Sequence, residues 1–315
     1  MPRLPLDPDE TLHVLVPSRS VAEAVEAVSP RVRAHRVEAS DGPPSGEAVD
    51  AQVWVPGAGG VPPPDNGFLE ALPRLRLVQL LSAGAEQFVG RLPDGVLLCN
   101  ARGAHTPATA EWVLAATLAA LRGIPFFVRE QAAGRWSFGV HSSLVGARVL
   151  VVGAGDIGRA IGRMLDPFHV ELTYVARTAR GGVRSAADLP ELLPHADVVI
   201  VVVPVTPETT GLVDAGFLAA MADGALLVNA ARGVVVDTDA LLAELREGRL
   251  RAALDVTDPE PLPEGHPLWA APNLLLTPHV GGAVPRSGQR AAAAVATQVT
   301  RILAGQPLAD VVDGY

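Results

Sequence analysis

The chain has 315 residues, 49% of them hydrophobic and 19% charged, and a formal net charge of −9. That length predicts about two domains, and that composition excludes an intrinsically disordered protein. The basic residues are scattered along the chain and outnumbered by acidic ones, which argues against nucleic acid as a partner.

All 25 basic residues are arginine, which excludes the lysine chemistry of Schiff bases and P-loops. The single cysteine, Cys99, excludes an internal disulfide and is expected to fill the core. The sequence predicts no metal site. The N-terminus lacks the pattern of a signal peptide, and the longest apolar run, 198–205, is too short to span a membrane. We therefore expect a cytoplasmic protein with no membrane partner.

Four strand-like apolar runs lie in the first hundred residues, at 13–16, 51–55, 77–81 and 96–99. Helical or turn-rich stretches separate them, which predicts a small α/β domain. The Gly- and Pro-rich segments 41–45 and 56–66 are predicted to be surface loops. Small residues follow the third run, and their backbone N–H groups could bind a carboxylate or could belong to an ordinary turn. These residues are Ser82, Ala83 and Gly84.

A long helix is predicted to open at Thr106, as its N-cap, and to run through Leu121. Gly123 and Pro125 should break or bend it. A second helical piece then runs to about Gly134, and its composition suggests the crossing from one domain into the other.

Residues 147–162, ARVLVVGAGDIGRAIG, have the pattern of a strand, a tight turn and an amphipathic helix. In a GxGxxG turn, Gly153 would adopt a backbone conformation closed to other residues, and Gly155 would let a pyrophosphate approach. Gly158 would let the helix and strand pack closely. The pattern favours dinucleotide binding over a glycine-rich turn without a ligand.

Further apolar runs at 170–175, 198–203, 225–230, 252–256 and 274–277 alternate with helical segments. This alternation predicts an α/β fold with a doubly wound parallel sheet. The last helix, 286–303, has Gly305 as a C-cap candidate and is long enough to return to the first domain. We therefore predict a discontinuous substrate domain, 1–104 with 284–315, and a dinucleotide-binding domain, 105–283.

Four polar residues lie at the carboxyl ends of the predicted strands, where ligands bind in such sheets. They are Arg232, Asp255, Glu260 and His279. Taken singly, the arginine could be a surface charge, the glutamate a solvated loop acid and the histidine a core residue. Their shared position on one sheet edge favours a site.

Five segments resemble, in order and spacing, the signature blocks of the D-isomer-specific 2-hydroxyacid dehydrogenases. They are VVGAGDIG (151–158), PVTPETTGL (204–212), LLVNAARGVVVD (226–237), ALDVTDPEPLPEGHPLW (253–269) and LLTPHVGGA (275–283). Within that family, the segment DVTDPEPLP is most similar to the glyoxylate/hydroxypyruvate reductases. The resemblance implies a Rossmann nucleotide domain and a smaller flavodoxin-like substrate domain, and it covers residues 75–310.

The resemblance also implies roles for the catalytic residues. His279 would be the general acid that protonates the keto oxygen, and the base for the reverse reaction. Glu260 would orient the imidazole and favour its charged form. Arg232 would hold the α-carboxylate and polarise the carbonyl. Substrate would bind to Arg232, His279 and the loop of Ser82, Ala83 and Gly84.

The cofactor-binding residues follow from the same resemblance. Asp255 would hold the nicotinamide amide, with Thr109 near it. The full set implied is Thr109, Gly153, Ala154, Gly155, Asp156, Ile157, Gly158, Arg177, Thr178, Val203, Pro204, Thr209, Ala230, Ala231, Arg232, Asp255 and His279.

The sequence departs from the family pattern at two places. NAD-dependent relatives carry an Asp for the adenine ribose where this chain has Ala176, followed by Arg177, Thr178 and Arg180. The missing carboxylate and the guanidinium groups predict that NADP is preferred, with NAD also possible as a cofactor. The alternative is that these arginines are only solvated loop charges. Val284 stands at the predicted domain hinge, where relatives often have Thr.

We therefore expect an NAD(P)H-dependent reductase of small 2-keto acids such as glyoxylate or hydroxypyruvate, forming D-2-hydroxy acids, and a homodimer as in its relatives. The alternatives are a formate or phosphite dehydrogenase and a non-catalytic NAD(P)-sensing scaffold of the corepressor type. The sequence leaves open whether Trp136, Phe138 and Trp269 border the substrate pocket or pack beneath it.

Overall fold

The structure, a computed structural model, describes residues 2–38, 40, 42–57 and 67–312. Within them the strands are β1 (Leu12–Val16), β2 (Val32–Arg36), β3 (Val53–Trp54), β4 (Leu77–Gln79), β5 (Leu97–Cys99), β6 (Arg148–Val152), β7 (Glu171–Ala176), β8 (Val183–Ser185), β9 (Val198–Val201), β10 (Leu226–Asn229), β11 (Arg251–Leu254) and β12 (Leu274–Leu276). The α-helices are α1 (Arg19–Glu26), α2 (Thr106–Leu121), α3 (Ile124–Ala132), α4 (Asp156–Leu165), α5 (Leu189–Leu192), α6 (Ala215–Ala220), α7 (Thr238–Arg246) and α8 (Pro285–Leu303).

The chain divides into two compact units. Unit 1 comprises Met1–His105 and Val284–Tyr315, and unit 2 comprises Thr106–Ala283. The last helix, α8, therefore belongs with the N-terminal strands, and Gly305 follows it in the left-handed conformation (φ 61°) that ends many helices.

Unit 1 is built on a parallel sheet of order β2-β1-β3-β4-β5, a flavodoxin-like order. Side chains alternate between the two faces of the sheet along β1. Leu12 and Val14 therefore lie on the face covered by α1 and α8, whereas Leu15 packs on the opposite face with Trp54. Cys99 is buried, and burial raises the pKa of its thiol to about 12. The prediction that Cys99 fills the core is confirmed.

Unit 2 contains the predicted doubly wound parallel sheet, in the order β12-β11-β10-β9-β6-β7-β8. Its central strands are continuous apolar runs because helices cover both faces, and one core cluster lies on each side. The strand order reverses at β6, which pairs with β7 on one side and β9 on the other. Such a reversal opens a crevice at the carboxyl ends of the strands, where ligands bind in this fold.

The break between α2 and α3 falls at Gly123, as predicted, where the backbone is left-handed (φ 64°). The start of α2 differs from the prediction, because Thr106 is already its first helical residue rather than its N-cap. Within the described residues no single helix meets the length and hydropathy of a membrane span. The pair of α2 and α3, bent by 65°, meets them only when taken together.

Two strands, β2 and β8, were not predicted, and both lie at sheet edges. The segments predicted as loops at 41–45 and 56–66 fall partly outside the described residues, at 41 and 58–66.

Candidate active site

The glycine turn after β6 has the geometry that its three glycines predict. Gly153 has φ 120°, and a side chain there would collide with the carbonyl oxygen of Val202. A side chain at Gly158 would collide with the carbonyl of Gly153, so this glycine permits close contact of helix and strand. Gly155 caps α4 and faces open space. A dinucleotide pyrophosphate fits this turn, because the open backbone and the N-terminus of α4 coincide.

The loop after β9 faces this turn and is organised by Thr209. Its hydroxyl donates to the carbonyl of Pro204 (2.6 Å) and accepts from the backbone N–H of Thr206 (2.8 Å). Thr209 therefore shapes the loop that includes Val203 and Pro204, in addition to the contact with the cofactor that the resemblance implies.

The loop after β10 carries Arg232 and is held by a residue that the sequence analysis missed. Asn229 is fully buried; its amide accepts from the N–H of Ala231 and donates to the carbonyl of Arg232, both at 3.0 Å. The Arg232 guanidinium donates to the carbonyl of Ala231 (2.8 Å). A polar residue closing the apolar run LLVN was the available signal, because a buried amide requires partners.

The loops after β10 and β11 are in direct contact. A side chain at Gly233, the residue after Arg232, would collide with the backbone of Thr257 and Asp258. The Thr238 hydroxyl at the start of α7 donates to the carbonyl of Asp258 (3.0 Å). The segment that carries Arg232 therefore packs against the segment that leads to Glu260.

Asp255, directly after β11, is buried and organises the loop after β12. One carboxylate oxygen accepts from the Thr277 hydroxyl (2.6 Å) and the Val280 N–H (2.9 Å). The other accepts from the Gly281 N–H (2.7 Å), and its backbone carbonyl accepts from the His279 N–H (2.6 Å). Asp255 thus fixes the backbone on both sides of His279, a role beyond the nicotinamide contact that the resemblance implies.

His279 and Glu260 form a hydrogen-bonded imidazole–carboxylate pair, with Nδ1 of the imidazole 2.5 Å from a carboxylate oxygen. His279 has φ 54°, a left-handed conformation that is uncommon outside glycine and that concentrates at functional sites. Both side chains are partly exposed, at 46% and 39%, so the pair is accessible to a ligand. An imidazole held in this way at one nitrogen can exchange a proton through the other.

The residues after β7 are exposed and basic. Arg177, Thr178 and Arg180 follow Ala176, the last residue of that strand, and Arg180 closes a tight turn through backbone hydrogen bonds with Val183. Glu208 lies in the loop after β9. The pKa of its carboxyl is below its usual value, chiefly because of a hydrogen bond from Thr206, with a further contribution from the positive charge of Arg177.

Several other predicted site residues lie elsewhere. Thr109 is buried on α2. In unit 1, the loop after β4 is fixed by its carbonyl groups: the Ser82 hydroxyl donates to Gly84, and the Asn100 amide donates to Ala83 (both 2.9 Å). Three aromatic side chains to which the sequence assigns no role are exposed. They are Trp136, Phe138 and Trp269.

Unit 2 therefore brings most of the predicted site to one edge of one sheet. The carboxyl ends of the strands are followed by the glycine turn, Arg232, Asp255 and His279. Glu260 lies at the same edge because its carboxylate contacts His279. A dinucleotide turn next to an imidazole–carboxylate pair and a guanidinium suits hydride transfer coupled to proton transfer on an acidic substrate. Fold and site together define a Rossmann-type oxidoreductase.

Comparison with known proteins identifies the family. The model of the D-isomer specific 2-hydroxyacid dehydrogenase NAD binding domain matches residues 114–281. The chain is 33% identical over 259 residues to a glyoxylate reductase of Thermofilum pendens, covering 77% of this chain and 76% of the relative. The chain belongs to the D-isomer-specific 2-hydroxyacid dehydrogenases, which are NAD(P)-dependent oxidoreductases.

Two solved structures are also similar to this chain. One is a D-isomer specific 2-hydroxyacid dehydrogenase from Xanthobacter autotrophicus in complex with NADPH and MES, 35% identical with a TM-score of 0.82, covering 96% and 98% of the two chains. The other is an NADPH-dependent glyoxylate/hydroxypyruvate reductase from Sinorhizobium meliloti in complex with citrate. It is 26% identical with a TM-score of 0.81 and covers 96% and 97%.

Proposed function

We propose that this enzyme reduces small 2-keto acids, glyoxylate or hydroxypyruvate first, to D-2-hydroxy acids, and oxidises the same hydroxy acids in reverse. The 2.5 Å pair of His279 and Glu260 at the ligand-binding edge of the sheet is the observation that carries the proposal. Reduction of a ketone requires one proton for every hydride, and this pair can supply it. Relatives named as glyoxylate reductases support the choice of substrate class.

His279, Glu260 and Arg232 each have a distinct task, and that of Glu260 is to hold and orient the imidazole. Nδ1–H of His279 donates to Glu260, so Nε2 carries the proton that passes to the keto oxygen and takes it back in the reverse reaction. Arg232 binds the α-carboxylate through its planar fork and draws charge from the adjacent carbonyl. The bound nicotinamide supplies the hydride in reduction.

The substrate class is tested by purifying the full chain and following the loss of nicotinamide absorbance with NADPH and a panel of 2-keto acids. We expect turnover with glyoxylate or hydroxypyruvate. No loss of absorbance with any keto acid would contradict the proposal. Formation of NADPH from NADP with formate or phosphite would instead indicate a formate or phosphite dehydrogenase. Neither of those oxidations needs a group that donates a proton to a keto oxygen.

We further propose that NADPH is preferred over NADH. Ala176 provides no carboxylate to repel a 2′-phosphate, and Arg177 and Arg180 extend from the exposed loop that follows it. A guanidinium binds phosphate by charge-assisted hydrogen bonds. The relative from Xanthobacter autotrophicus that was crystallised with NADPH supports this choice.

Replacing Arg177 by Gln is expected to raise KM for NADPH about tenfold and to leave KM for NADH nearly unchanged, because only NADPH carries the 2′-phosphate. Glu208→Gln is the matched variant. It removes a negative charge that interacts with Arg177, so it should lower KM for NADPH. Steady-state kinetics with both cofactors decide this, and equal effects of Arg177→Gln on both would contradict the preference.

We also propose that the protein is a homodimer, formed through the exposed segment 124–145 of unit 2. Glu130 accepts hydrogen bonds from Arg135 and Ser137, which order the turn at Gly134 and lower the pKa of the Glu130 carboxyl to about 2. This ordered segment nevertheless exposes large apolar side chains, a feature typical of protein interfaces. They are Ile124, Phe126, Val128, Trp136, Phe138, Val140 and Val145.

The double replacement Trp136→Ser with Phe138→Ser is expected to convert the dimer to a monomer, because both rings are almost fully exposed in the single chain. Light scattering coupled to size-exclusion chromatography measures the mass. Trp269→Ser, an exposed tryptophan outside the segment, serves as the control and should leave the dimer intact. A dimer that survives the double replacement would rule out this interface.

A further inference from the structure

Unit 1 contains a pair of histidines on neighbouring strands. β1 and β2 are parallel, with Leu15 opposite His35, so strand alternation places His13 and His35 on the same face of the sheet. Nδ1 of His13 lies 2.9 Å from Nε2 of His35, and the two rings are stacked within 5° of parallel. Two imidazole nitrogens are thus directed at each other on a half-buried surface.

A carboxylate completes the cluster from a third element. The short 3₁₀ helix Gly46–Asp50 packs on the same face of the sheet through Ala48, which is buried in the cluster that contains Leu15. Its neighbour Glu47 is exposed, and its carboxylate joins the two imidazoles. One potential ligand atom from each of the three residues lies within 4.8 Å of the other two.

We propose that His13, His35 and Glu47 form a binding site for a divalent transition metal of the Zn²⁺ type. Two imidazole nitrogens and one carboxylate oxygen are a zinc donor set, and the exposed side of the cluster leaves the fourth position to water. A tetrahedral ion with Zn–N bonds of 2.0–2.1 Å requires a nitrogen separation of about 3.3 Å. The present 2.9 Å therefore needs to open by only a few tenths of an ångström.

The surroundings favour a cation. Glu26, at the end of α1, accepts a hydrogen bond from the N–H of Ala34, the residue before His35, and its negative charge interacts with His35. Nitrogen donors discriminate against Mg²⁺ and Ca²⁺, which prefer oxygen. The bound ion would tie together β1, β2 and the 3₁₀ helix, so it would stabilise the folded chain without a part in the reaction.

The test uses the full, chelator-treated chain without a polyhistidine tag, titrated with zinc chloride in a calorimeter. We expect one Zn²⁺ per chain with a dissociation constant on the order of micromolar and no heat with Mg²⁺. The double replacement His13→Ala with His35→Ala should abolish this binding and the zinc-dependent rise in melting temperature. Glu47→Gln should weaken binding roughly tenfold, because an amide is a poorer ligand than a carboxylate.

Two controls separate this site from other histidines. His195→Ala removes an exposed histidine of unit 2, and His279→Ala removes the other imidazole–carboxylate pair. Both should retain the same stoichiometry and affinity. Unchanged zinc binding in the double variant, or none in the unmodified chain, would overturn the proposal. If the double variant proves misfolded by circular dichroism, Glu47→Gln decides alone, since its exposed side chain can be changed without disturbing the core.

Discussion

Replacing His279 by Asn is expected to lower kcat for keto-acid reduction by about 10²- to 10⁴-fold, the usual contribution of a positioned acid or base. Asparagine is chosen because it tolerates the left-handed backbone that His279 adopts (φ 54°). The loop should therefore keep its conformation while the proton donor is lost. NADPH affinity, measured by fluorescence titration, should change little.

The chain offers a closely matched control for this variant. His169 is an exposed histidine with nearly the same backbone conformation (φ 52°). It lies just before β7, whereas His279 follows the carboxyl end of a strand. His169→Asn should therefore leave kcat unchanged. Glu260→Gln should lower kcat by less than His279→Asn, because an amide oxygen can still accept from Nδ1 but carries no charge. Turnover by His279→Asn close to that of the unmodified enzyme would exclude the imidazole as the acid.

The central sheet of unit 2 could be predicted because its chemistry is local. A strand buried on both faces must be largely apolar, and this holds for all of β9 (VVIV) and for all but one terminal residue of β6 (RVLVV) and of β10 (LLVN). The glycine turn could be predicted for a related reason, since Gly153 adopts a conformation that few other residues tolerate. Polar residues that follow such strands lie at the same edge of the sheet. This rule predicted that Arg232, Asp255 and His279 lie close together.

The edge strands were missed because their environment differs. β2 reads VRAHR and β8 reads VRS, and neither is apolar enough to be recognised, since an edge strand exposes part of its surface. The hydrogen bonds of Asn229 and Asp255 were missed for another reason. Both hold backbone groups whose positions are known only once the loops are folded, although a polar residue at the end of an apolar run does indicate such a role.

The cluster of His13, His35 and Glu47 has no signal in the linear sequence. The three residues are separated by 22 and 12 positions, which matches no metal-binding motif, and one of the two strands involved was not predicted. Only the pairing of β1 with β2 and the packing of the 3₁₀ helix bring the side chains together.

The Gly158→Ala replacement is expected to destabilise the protein by about 3 kcal/mol, at the upper end for overpacking, because its methyl group would meet the carbonyl of Gly153. Backbone on both sides of the contact cannot move aside as a flexible side chain can, so α4 would have to shift away from β6. This loss corresponds to a fall in melting temperature of about 10 °C for a unit of this size. Thermal unfolding followed by circular dichroism measures it.

Gly155→Ala separates folding from binding within the same turn. Nothing lies near a side chain at this position, and its φ of −81° is open to any residue, so stability should fall by about 1 kcal/mol or less. NADPH binding should nevertheless weaken by about tenfold or more, because the added methyl group occupies the space through which the pyrophosphate approaches the backbone. If Gly155→Ala binds NADPH as tightly as the unmodified chain, the pyrophosphate does not contact this turn, and the cofactor geometry proposed for unit 2 is wrong.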